Sequence, residues 1–180
     1  MIRYNAIQEI MNHITNELII CNIGFPCKEL YQIKDREENF YMLGSMGLCS
    51  SIGLGIALSN PNKKVISIDG DGSILMNLAT LVTIKNQNPK NYILIILDNG
   101  AYGSTGNQET YAKNTDLLKI IKSIGYKNAY EYEKIDFKKL LEKDYTEPVI
   151  IRYKIEPGNS KSPVIPLSPE EIKNRFMEKI

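Results

Sequence analysis

VISIDGDGSILMNLATLVTIKNQNPKNYILIILDNGAYGSTGNQ, residues 65–108, decides how the rest of the chain is read. It opens on Val65-Ile66-Ser67-Ile68, an apolar, β-branched run short enough for a strand buried in a parallel sheet. The run ends in Asp69-Gly70-Asp71-Gly72. A helical pattern is expected from about Ser73 to Asn88, stopping before Pro89. A second buried strand is expected over Tyr92–Leu97, ending in Asp98-Asn99-Gly100-Ala101. A right-handed crossover between the strands sets both polar turns at the carboxyl edge of one sheet.

One turn then offers a carboxylate and the other a carboxamide. That pairing suits a diphosphate held through a divalent cation. Gly70 and Gly72 permit a tight turn and close backbone approach, and a helix beginning near Ser73 turns N–H groups toward an anion. Asp71 supplies a charged oxygen, Asn99 a neutral one, and the main-chain carbonyl of Ala101 a third. Two phosphate oxygens and a water complete the octahedron that Mg²⁺ requires.

GDG, about thirty residues, then Asp98-Asn99 resembles the motif of thiamin diphosphate-dependent enzymes. The resemblance implies that Asp71, Asn99 and the Ala101 carbonyl bind Mg²⁺. It also implies that Gly70, Gly72, Ser73 and Tyr102 border the cofactor. Many family members have Asn-Asn where this chain has Asp98-Asn99, but the second position is the ligand, so Asn99 keeps the role.

Gly44-Ser45-Met46-Gly47 resembles a second element of that family. There the first residue's carbonyl takes the cofactor's 4′-amino group, a position Gly44 matches. The third residue, here Met46, is an apolar wedge that holds the cofactor bent. Bending brings the amino group over the thiazolium C2, where it removes a proton. Taken alone, Met46 reads as core packing; the diphosphate motif one strand downstream gives it the wedge reading.

The 180 residues are 43% hydrophobic and 24% charged, with net charge +1. One domain over residues 1–180 is expected, with a C-terminal loop and helix from about 156–180. The near-neutral balance gives no reason to expect nucleic acid, and no apolar run is long enough for a membrane span. Cys21, Cys27 and Cys49 form no CxxC and read as buried free thiols of a cytoplasmic protein.

Ala6, Ile7, Ile10, Met11 and Ile14 have helical spacing within Tyr4–His13 and just beyond it. His13, the only histidine, reads as solvent-facing or capping. Glu17–Ile23 reads as a strand, followed by a helix from Pro26 to about Ile33. Lys28 and Arg36 read as surface charge by default, or as contacts to an anionic substrate or a partner chain. Phe40–Leu43 is a short apolar segment, and Leu48–Leu58 a helix of small residues. Asn114–Ile124 and Asp136–Lys143 read as helices, Tyr126–Tyr130 and Val149–Lys154 as strands. Asp136 is a candidate N-cap, and Ser168-Pro169-Glu170-Glu171 is a capping box opening a last helix to about Lys179. The fold class is therefore α/β, a Rossmann-like parallel sheet with helices on both faces, which the resemblance identifies as the diphosphate-binding (PP-type) domain of thiamin diphosphate enzymes.

Those enzymes pair this domain with a second that supplies a glutamate to the pyrimidine. The expectation is an α subunit carrying that pyrimidine-binding domain. More narrowly, NIGFPCKELYQIKDREENFYMLGSMGLCSSIGLG, GDGSILMNLATL, DNGAYGSTGNQET and RFMEKI resemble the β subunits of sulfopyruvate decarboxylases. That resemblance implies a carboxy-lyase acting on an anionic 2-oxo acid, 3-sulfopyruvate to sulfoacetaldehyde and CO₂, in coenzyme M biosynthesis of a methanogen. Half of a phosphonopyruvate decarboxylase and the β chain of a 2-oxo acid:ferredoxin oxidoreductase stand as alternatives. A non-catalytic diphosphate-binding regulatory module stands beside them. Ser104, Thr105, Asn107 and Gln108 follow the metal turn directly and read either as a substrate loop or as a loop that only closes over the diphosphate.

Overall fold

The computed structural model describes residues 1–180. Six strands form one parallel sheet: β1 (Leu18–Cys21), β2 (Asn39–Tyr41), β3 (Val65–Gly70), β4 (Tyr92–Asp98), β7 (Ala129–Glu131) and β8 (Val149–Lys154). Their order is β2-β1-β3-β4-β8-β7. The central strands are buried and mostly apolar because helices cover both faces. A two-stranded hairpin, β5 (Ala101–Tyr102) and β6 (Gln108–Glu109), stands apart from the sheet.

Eight α-helices complete the fold: α1 (Arg3–Met11), α2 (Phe25–Ile33), α3 (Cys49–Ser59), α4 (Asp71–Met76), α5 (Ala79–Gln87), α6 (Leu117–Ser123), α7 (Phe137–Glu142) and α8 (Pro169–Met177). A single apolar cluster of 44 buried residues runs through the molecule. From β1 the chain steps outward to β2, crosses back to β3, and then moves the other way to β4. The reversal leaves a crevice between the carboxyl ends of β1 and β3, the usual ligand position in such sheets.

Several boundaries differ from the sequence reading. The helix expected over 73–88 is two helices, broken where Asn77 leaves helical geometry (φ −138°, ψ 51°). It also starts at Asp71, two residues early. The helix expected over 114–124 is a 3₁₀ turn, Tyr111–Asn114, followed by α6, which Asp116 caps by accepting from the N–H of Lys119 at 3.1 Å. The strand expected over 126–130 lies at 129–131. Asp136 caps α7 and Ser168 with Glu171 forms the capping box of α8, as the sequence indicates.

α8 packs against β2, an edge strand, where Phe176 meets Phe40 at 5.4 Å between ring centres. Two ion pairs fasten that contact, Arg175 to Asp35 at 2.9 Å and Lys179 to Glu37 at 2.7 Å. Cys21, Cys27 and Cys49 are buried and unpaired. His13 neither faces solvent freely nor caps a helix; it lies half-buried, edge-on to Phe137. Arg36 is not a free surface cation. It donates to the carbonyls of Thr15 at 3.0 Å and Glu17 at 3.2 Å and so pins the loop before β1.

Candidate functional site

β3 and β4 are in parallel register, with Gly70 opposite Leu97. Asp71 and Asn99 each follow the end of one of these strands, so the fold sets them side by side. Both line a cavity of about 170 Å³ at the carboxyl edge, together with Ala101, Met46, Ser73 and Tyr102. Residues from after β1, Asn22 and Ile23, close the wall across the crevice. No helix of the structure is long and apolar enough to cross a membrane.

Asp71 is 2% exposed. Its Oδ2 accepts from the hydroxyl of Thr110. Burial pushes its carboxyl up to about 6; the Thr110 hydroxyl and the main-chain N–H of Asn99 work against that, while nearby Asp98 adds to it. A buried carboxylate held this way, beside carbonyl and amide oxygens, is the donor set that a hard divalent cation takes. The residues present therefore fit a Mg²⁺ ion.

The Asn99 side chain is fixed by its own turn. Its Oδ1 accepts from the N–H of Ala101 at 3.1 Å, and Gly100 between them sits at φ +62°, a left-handed geometry that glycine adopts freely. The β5–β6 pairing of Ala101 with Glu109 then holds the main chain at 101 in place.

Gly72 is glycine for a reason the sequence reading did not give. A Cβ there would run into the ring of Tyr102, and would stand 3.0 Å from Cγ2 of Thr110. The Tyr102 ring thus lies directly on the first turn of α4. Gly70, at φ −103°, needs no glycine-specific backbone; its added Cβ would meet only Asn22 Nδ2, at 3.9 Å.

Ser73 is fully buried, and its Oγ accepts from the N–H of Gly47 at 3.0 Å. Asn77 Nδ2 donates to the Gly47 carbonyl at 3.1 Å. Both main-chain groups of Gly47, itself at φ +90°, are therefore held from α4 and the residue that ends it. The adjacent Met46 is half-buried and reaches the cavity, whereas Gly44 and Ser45 are exposed and lie outside its lining.

Asp69, one residue before the turn, is 1% exposed, and burial pushes its carboxyl up to about 6. Its Oδ1 accepts from the N–H of Gly70 at 2.9 Å. This second buried carboxylate braces the turn from beneath.

The four loop residues divide. Ser104 and Thr105 line the cavity. Asn107 and Gln108 do not; Gln108 folds back on its own loop, accepting from the Thr105 hydroxyl at 2.8 Å and donating to the Thr105 carbonyl at 3.2 Å. Sequence reasoning missed four residues here: Arg3, Asn22, Asn77 and Thr110. Arg3 carried a readable signal, since it shares the helical face of Ala6, Ile7 and Ile10, which marks a buried cation.

Residues 23–153 match the model of the thiamine pyrophosphate enzyme, C-terminal TPP binding domain. The chain belongs to this thiamine pyrophosphate enzyme family. The match takes in both turns and every cavity residue except Arg3 and Asn22. Among family members, sulfopyruvate decarboxylase subunit beta of Methanococcus maripaludis is 51% identical over 99% of this chain and 97% of its own. Sulfopyruvate decarboxylase of Methanosarcina acetivorans is 47% identical over 99% of this chain, but that match spans only 47% of its own longer chain. A solved structure, Rhodococcus jostii RHA1 thiamine diphosphate-dependent 4-hydroxybenzoylformate decarboxylase, overlays 89% of this chain and 33% of its own with a TM-score of 0.70. At 16% identity that likeness speaks to the fold.

Proposed function

We propose that this chain is the β subunit of a sulfopyruvate decarboxylase, holding Mg²⁺ and the diphosphate of thiamin diphosphate. The observation that carries the reading is the shared cavity. Asp71, Asn99 and Ala101 line it from two adjacent strand ends, and Met46 enters it from the turn before α3. The 51% identity to a β subunit of that name supplies the substrate class.

In this reading Asp71 Oδ, Asn99 Oδ1 and the Ala101 carbonyl hold the metal. Thiamin diphosphate, when bound, supplies a nucleophilic thiazolium carbon and an electron sink for loss of CO₂ from a 2-oxo acid. This chain's own part is positioning and exclusion of water. Ser73 and Asn77 fix the turn that carries Met46, so the wedge stands at a set height over the cavity. Tyr102 closes the cavity over α4. Ser104 and Thr105 complete its lining.

A partner chain carrying the pyrimidine-binding domain completes the enzyme. The subunit name of the Methanococcus maripaludis relative supports this. So does the Methanosarcina acetivorans relative, whose chain is about twice as long as the part matched here. The test is co-expression with a candidate α chain, followed by CO₂ release from 3-sulfopyruvate, phosphonopyruvate and pyruvate. Mg²⁺-dependent turnover of sulfopyruvate by the pair, and not by this chain alone, is the expected result. Preference for either other acid overturns the substrate assignment, and turnover by this chain alone overturns the shared site.

A further inference from the structure

The cavity has one cationic wall residue, and it comes from the opposite end of the sequence from the motif. Arg3, on the first turn of α1, lines it beside Gly103 and Ser104. The residue is 6% exposed, so the guanidinium is committed to the interior. Glu29, fully buried on α2, takes one edge: Arg3 Nε donates to Oε2 at 2.7 Å and Nη2 to Oε1 at 3.1 Å. Asn159 Oδ1 accepts from Nη2 at 2.7 Å.

Nε and Nη2 are thus used, and their direction is fixed. Nη1 donates to no group of the chain. It lies 3.5 Å from where a Cβ on Gly103 would stand, just beyond Asn159 Oδ1 at 2.9 Å. An arginine on a ligand cavity whose Nε and Nη2 are held by a carboxylate and an amide oxygen, and whose Nη1 is unused, is a preset oxyanion donor. The Asn159 amide extends the brace, donating from Nδ2 to the Gly103 carbonyl at 2.7 Å.

We propose that Arg3 Nη1 binds the terminal phosphate of the cofactor, on the reading given above that the cavity holds thiamin diphosphate. The chemistry recognised is a tetrahedral oxyanion, and two are available, the cofactor's terminal phosphate and the substrate's sulfonate. Position selects the phosphate. Arg3 borders Gly103, two residues after Ala101, on the side of the metal turn. The cavity's 170 Å³ is also below the roughly 300 Å³ at which pockets begin to take whole drug-sized ligands, so it receives a tail. Arg3 and the metal would then both hold the diphosphate end of the cofactor, with Glu29 balancing the arginine's charge.

The experiment is calorimetric titration of the assembled two-chain enzyme, with Mg²⁺, by thiamin diphosphate and by thiamin monophosphate. Arg3→Lys keeps a cation for Glu29 but loses the second donor edge. Arg3→Gln combined with Glu29→Gln removes the pair without leaving a bare buried carboxylate, and circular dichroism and melting verify its fold. In each variant, affinity for the diphosphate falls roughly tenfold or more, affinity for the monophosphate holds, and KM for sulfopyruvate at saturating cofactor holds. Unchanged diphosphate affinity, or an equal loss for both thiamin phosphates, makes Arg3 a structural residue and overturns the proposal. A raised KM for sulfopyruvate with cofactor affinity intact assigns Arg3 to the sulfonate and overturns it as well. Failure of the unsubstituted complex to bind thiamin diphosphate sinks the parent reading, a result distinct from all of these.

Discussion

The hydroxyl of Ser73 accepts a hydrogen bond from the main-chain N–H of Gly47 at 3.0 Å. The turn after β3 and the turn before α3 are therefore one unit, although 26 residues separate them. Asn77 closes the unit from the other side through the Gly47 carbonyl. Asn77→Ala should lower stability by about 1 kcal/mol, one net hydrogen bond, in thermal unfolding of this chain. In the assembled enzyme kcat should fall while KM for the 2-oxo acid holds, because the Met46 turn loosens. An unaltered kcat would separate Asn77 from the wedge.

Asp71 is the only carboxylate in the cavity wall. Asp71→Ala should abolish Mg²⁺-dependent binding of thiamin diphosphate to the assembled complex in calorimetry, while the protein stays folded. Retained metal-dependent affinity would show that the cation sits elsewhere.

The ring of Tyr102 occupies the space a side chain at residue 72 would need. Gly72→Ala should destabilise the chain by about 1–3 kcal/mol through overpacking. Tyr102→Leu in the same background should recover part of that loss, a coupling measurable in a double-mutant cycle of denaturant unfolding. Strict additivity would mean the ring is free to move aside.

Glu147 offers a pH test away from the cavity. It is 7% exposed, and burial opposes its ionisation. Lys85 Nζ and the N–H groups of Lys127 (2.9 Å) and Asn128 (3.2 Å) overcome that and hold its carboxyl below the usual range. A depressed folded-state value means stability that is present above the unfolded-state value, about 4.3, and lost as pH falls through the folded one. Glu147→Gln should thus cost about 2 kcal/mol near neutrality, and the gap to the parent should close on acidification below that range. A gap independent of pH would mean the charge of Glu147 contributes nothing.

The strands were readable because β3 and β4 are buried on both faces and carry almost no polar residues before their final turns. The pairing of Asp71 with Asn99 was readable because a crossover helix leaves few other ways to place two strand ends. The break at Asn77 was not, since local propensity favours one helix over 73–88 and only the distant Gly47 carbonyl draws the amide out. Asp116 was a cap signal passed over in favour of a longer helix. Arg3 escaped because its carboxylate partner lies 26 residues away on another helix, and its other partner, Asn159, lies 156 residues away. The role of Gln108 as a clasp on its own loop depends on a side-chain contact that no periodicity encodes.

α8 lies against β2 at the sheet's margin. A ribosome that stalled before Ser168 would release a product with every cavity residue present and its outermost strand uncovered. Uncovered strands recruit their like. Such a fragment should be lost to self-association, visible as early growth in light scattering, before any defect in its chemistry could be measured.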